Sequence, residues 1–149
     1  MSNNKIETAI KEKMTGNKQE SALKFINAIC EIGITVEDTD CHDRWNFIFQ
    51  NSADGFACCQ LEDDGKFNIW IMLNFGVHDG DDDLKEFAWS HVVECPQPQW
   101  CNEKGCGRHK NTWVIYGKEY VNTCHAPLAF FAVDEEMLDK VKRLFLNIN

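Results

Sequence analysis

The sequence predicts an α+β fold, and three observations carry that expectation. Helix-period and strand-period segments fall in separate runs and do not alternate as strand, helix, strand. Amphipathic helical segments open and close the chain. Between them lie three successive strand-like runs joined by turn chemistry. At 149 residues, of which 44% are hydrophobic, the chain can bury a sizeable core without disulfides, so one domain spanning 1–149 is expected.

Taken in order, Ile6, Ile10 and Met14 recur at helical spacing before "TGN", and Ala22, Leu23, Ile26, Ile29 and Cys30 form a second helical run ending at Gly33, a favourable helix-terminating residue. These segments form the N-terminal helical pair. The runs "RWNFIFQ", "FACCQLE" and "KFNIWIMLNF" are joined by "NSADG" and "DDG" and predict an antiparallel three-strand meander. Asp81 can cap a helix with acids in its first turn and Leu84, Phe87 and Ala88 on its inner face, ending near His91. A cysteine-rich loop follows. "NTWVIYGKEYVNTC" then predicts a hairpin turning at Gly117-Lys118, and "LAFFAV" one more strand. Asp134 caps a last helix that buries Met137, Leu138, Val141, Leu144 and Phe145.

The formal net charge of -9 makes the surface repel phosphate backbones, and no Lys/Arg stripe interleaved with aromatics offsets it. Nucleic-acid and membrane partners are therefore not expected; a small molecule, a protein or a second copy in a homodimer is. The start, "MSNNKIETAIKEKM", has no signal-peptide core, and no apolar run reaches membrane-spanning length. The expected location is cytoplasmic. Eight cysteines in a reducing compartment must then be packing residues, metal ligands or reactive thiols.

Three of them, Cys95, Cys101 and Cys106, lie in "CPQPQWCNEKGCGRH" together with His109, and Cys124-His125 stands just past the hairpin that follows. Zinc takes four thiolate or imidazole ligands in tetrahedral geometry and supplies folding energy to a loop too polar to pack on its own. The expected zinc ligands are drawn from Cys95, Cys101, Cys106 and Cys124, with His109 and His125 as substitutes. The spacing C-x5-C-x4-C-x2-H lacks the C-x2-C knuckle of zinc ribbons, and the alternative is that these cysteines pack or remain free. If unmetallated, Cys101 or Cys106 beside His109, Lys104, Arg108 and Lys110 would suit thiolate chemistry, and the chain would be a thiol-dependent enzyme. The segment, with Gly117, Lys118, Tyr120 and Cys124 of its hairpin, resembles a scattered group of small bacterial proteins of unknown function that place spaced cysteines before a GK-x-Y-x-x-C hairpin. That resemblance covers about the last third of the chain. It implies that the cysteines act as a unit and carries no activity.

Alternation in the meander puts Phe67, Ile69, Ile71, Leu73 and Phe75 on the core face with Trp45, Phe47 and Phe49. The other face gathers amides beside a large aromatic, a thioether and a thiol. Asn46, Cys58, Asn68, Trp70 and Met72 are the candidate ligand-binding residues there, because flat apolar area with a few directional hydrogen bonds suits a small neutral ligand. A covering helix or second subunit is the competing explanation. Cys58 and Cys59 are adjacent in a strand and point to opposite faces, so Cys59 is expected inside with Ala57 and Leu61. The run "HDGDDD" lacks EF-hand spacing, and Cys41-His42-Asp43 are sequence neighbours where catalytic triads join distant segments. No phosphate-cradling loop or nucleophile elbow occurs. The expected function is that of a non-enzymatic module with a structural zinc site and a binding sheet face; the alternatives are the thiol enzyme and a purely structural dimeric subunit.

Overall fold

A computed structural model describes residues 3–50, 56–72, 81–94 and 111–148. Among these residues the elements run α1 (Asn3–Lys13), α2 (Gly16–Glu31), β1 (Thr35–Asp38), β2 (Arg44–Ile48), β3 (Phe56–Leu61), β4 (Phe67–Met72), α3 (Asp82–Ser90), β5 (Val92–Glu94), β6 (Asn111–Ile115), β7 (Lys118–Phe130) and α4 (Glu135–Ile148). The class is α+β, with helices first and last and antiparallel strand pairing. No helix among the described residues is long and apolar enough to cross a membrane. The fold divides into two compact units, 1–69 with 130–149 and 70–129.

In the first unit, α1, α2 and α4 supply the helices, and β1, β2, β3 and the start of β4 lie side by side. Helix α2 ends as its glycine predicts. Gly33 N–H donates to Cys30 O and Ile34 N–H to Ile29 O, the paired bonds of a Schellman stop, with Gly33 at φ 96°. Asp134 caps α4 by accepting from Met137 N–H at 2.9 Å. Strand alternation follows the expected faces: Trp45, Phe47 and Phe49 are buried, while Ile48 between them and Arg44 before them are exposed. Register pairs Trp45 with Cys59 and Phe47 with Ala57, so the inward residues of β2 and β3 stand opposite one another. Across them, Phe145 of α4 sits 5.5 Å from the Phe47 ring, 5.3 Å from Phe49 and 6.0 Å from Phe25 of α2. These ring contacts join two helices to the sheet in one core.

Strand β1 goes beyond the expected meander. Its four residues pair with β2 through Val36↔Phe47, and Val36 alone of the four is buried. Strands β3 and β4 turn at "DDG": Gly65 N–H donates to Glu62 O, Glu62 N–H to Lys66 O, and Gly65 has φ 89°. This is the three-residue hairpin in which a left-handed residue completes the turn. A side chain at Gly65 would also meet the Lys13 carbonyl oxygen at 2.8 Å, so this turn is pressed against the end of α1.

The second unit holds α3, β5, β6 and most of β7. Asp81 caps α3 as expected, accepting from Leu84 N–H at 2.8 Å, and Leu84, Phe87 and Ala88 are its buried face. The β6–β7 hairpin turns one residue earlier than the sequence suggests. Ile115 pairs with Lys118, and the turn residues are Tyr116 at φ 49° and Gly117 at φ 85°, both left-handed as a type I′ turn requires. The predicted separate strand over "LAFFAV" is instead the end of β7, which runs on through Pro127 to Phe130. The β5 register shifts from Val92↔Leu128 to Glu94↔Thr123 across the stretch containing Pro127, where the ladder has no N–H to use. Trp89 Nε1 donates to Ile115 O at 2.7 Å and Lys118 Nζ stands 3.8 Å from the Trp89 ring centre, which ties α3 to the hairpin.

Candidate functional site

The segment expected to bind metal lies mostly outside the described residues: Cys95, Cys101, Cys106 and His109 all do, as do the side chains of Cys124 and His125. The backbone around it is described. In β7, Thr123 is the register partner of Glu94 in β5 and also of Asn111 in β6. Glu94 and Asn111, the described residues on either side of positions 95–110 in the chain, therefore share one register partner. In the chain, Cys95 directly follows Glu94 and Cys124 directly follows Thr123. Register partners in antiparallel strands have Cα atoms about 4.5–5.5 Å apart, and consecutive Cα atoms are about 3.8 Å apart. Glu94 and Asn111 are thus both held opposite the residue that precedes Cys124.

The five residues expected on a ligand-binding sheet face differ in burial. Asn46 and Cys58 are register partners on adjacent strands and both are half-buried, with exposed Ile48 and Arg44 on the same face of β2. Asn68 is 5% exposed and its amide is already committed. Its Nδ2 donates to Glu62 at 3.1 Å, and its Oδ1 accepts from the backbone N–H of Ala132 at 2.8 Å. Next to that contact Val133 N–H donates to Phe67 O at 3.0 Å, so Asn68 fastens the segment leading into α4 to the strand beside it. Trp70 is half-buried and Met72 buried, both in the second unit.

Cysteine environments separate along the same lines. Cys59 is fully buried, and burial pushes its thiol well above the usual 9.0; Cys58 is raised by partial burial, which Arg44 partly offsets. Cys41 is exposed. Of these three cysteines, timed alkylation of the native protein with peptide mapping is expected to label Cys41 before Cys58, and Cys59 only on unfolding. Labelling of Cys59 before Cys58 would contradict the register of β3.

A polar constellation missed in the sequence surrounds Asp43. Lys13 Nζ at the end of α1 donates to Asp43 Oδ2 and, at 2.8 Å, to Asp63 Oδ1, while His42 Nε2 lies 2.8 Å from Asp43 Oδ2. Asp43 has φ 57°. Thr39 shapes the same turn by accepting from Cys41 N–H and donating to Arg44 O. Beside it, a groove of about 580 Å³ runs between Lys5, Thr8, Ala9 and Glu12 of α1 and residues 38–45. Those four helical positions recur at i, i+3, i+4 and i+7, which is one helix face. His42 therefore does find a carboxylate, but its side chain is 91% exposed and Lys13 shares that carboxylate. The arrangement is a clamp joining α1 to two turns.

The clamp has a pH signature. Hydrogen bonds to Asp43 and then Asp63 raise the Lys13 ammonium above its usual 10.5, and Lys13 lowers the Asp63 carboxyl below its usual 3.8. The lysine contribution is complete below pH 10.5 and lost as pH rises through the raised value. The Asp63 contribution is complete above pH 3.8 and lost as pH falls through the lowered value. Lys13→Met is expected to lower thermal stability between these limits and to converge with the parent beyond them. A constant gap in melting temperature across pH would remove the ion pairs as its cause.

Compared with known protein families, with characterised proteins and with solved structures, the chain matches none.

Proposed function

We propose that the chain is a non-enzymatic binding module in which one zinc ion staples the 95–110 loop to the β6–β7 hairpin, and in which the outward face of β2 and β3 receives a small molecule or a protein. The observation that supports the staple is that Glu94 and Asn111, the residues before and after the three-cysteine segment, share the register partner Thr123, which precedes Cys124 in the chain. A polar loop held at both ends loses less entropy on closing around an ion, and zinc binding then adds its own folding energy. Cys106, with glycines on both sides, leads the ligand set. Cys95, Cys101 and Cys124 complete it, and His109 or His125 replaces a cysteine that does not reach. The receiving face is supported by the half-buried pair Asn46 and Cys58 beside exposed Ile48.

Native mass spectrometry of the full chain, purified without chelator, tests the staple. One retained zinc is expected, and Cys106→Ser is expected to lose it. Because the aromatic core of the first unit does not depend on the metal, the variant should stay folded. Its melting temperature should fall by roughly 4–8 °C for a loss of about 2 kcal/mol in a chain of this size. Chelation of the parent should have the same effect. A metal-free parent whose Cys106→Ser variant melts as the parent does would overturn the staple. Reactive free thiols would then direct attention to the thiol-enzyme reading, and a metal-free dimer to the structural-subunit reading.

A further inference from the structure

We draw no further inference here: the strongest candidate, the groove of about 580 Å³ between α1 and the turn carrying Cys41, His42 and Asp43, offers one exposed thiol beside carboxylates already engaged by Lys5 and Lys13, and nothing in the structure shows what would occupy it.

Discussion

Phe145→Ala is expected to destabilise the protein by about 3–5 kcal/mol, the range for truncating a buried phenylalanine. Phe145 is fully buried and touches the rings of Phe25, Phe47 and Phe49, so its removal opens a cavity where α2, α4 and β2 meet. The walls of that cavity belong to three different elements, none of which can close it without shifting its own backbone. Edge-to-face ring contacts worth about 0.5–1.5 kcal/mol beyond area burial are lost as well. Urea unfolding followed by far-ultraviolet circular dichroism should show a much lower midpoint with a similar slope. Phe145→Leu, which keeps most of the volume, should recover a large part of the loss. If Phe145→Ala changed the midpoint little, the docking of α4 on the sheet would be wrong. Exposed Leu146, one position along the same helix, is the control and should tolerate alanine nearly without effect.

The second large effect is expected at Asn68. Replacing it with leucine keeps the volume but removes the acceptor for Ala132 N–H and the donor to Glu62. Leaving a partly buried backbone donor unpaired costs about 1–3 kcal/mol. The consequence is sharpened by Ala132 itself, which has φ 49°, a conformation unfavourable for alanine that the Asn68 contact helps hold. Asn68→Leu should therefore speed amide exchange at Ala132 and Val133 before it affects β2 and β3. Asn68→Asp keeps the acceptor and should preserve protection at Ala132 better than leucine does. Equal protection in parent and leucine variant would show that Asn68 does not hold this segment. The pair also bears on function, because an amide spent on holding the chain together has little left for a ligand.

Local chemistry was legible from residues alone. Asp81 and Asp134 cap their helices, Gly33 ends α2, and "DDG" turns the β3–β4 hairpin, since each depends on hydrogen bonds or backbone freedom within a few residues. The inward faces of β2 and β3 were legible for the same reason: alternation is a property of one strand. Strand β1 was not. Only Val36 of its four residues turns inward, and "TVED" has too few apolar positions to show a period; pairing with β2 makes it a strand. The hairpin "NTWVIYGKEYVNTC" and the strand "LAFFAV" read as two separate segments, yet β7 runs from one into the other through Pro127, at a register shift.

The candidate site divides in the same way. Composition and spacing determined which residues could hold zinc, because thiolates and imidazoles are its ligands whatever the fold. Only tertiary pairing brought both Glu94 and Asn111 opposite Thr123. Sequence alternation placed Asn68 on a mixed face with Asn46, but it could not tell an amide awaiting a ligand from one already bonded. That was decided by Ala132, 64 residues away. The Lys13 clamp has the same character, its ion-paired carboxylates lying 30 and 50 residues from the lysine. A sequence determines what each segment prefers and which chemistry its side chains carry. Which polar groups are spent on one another depends on chain closure over long separations, and that is a property of the packed fold.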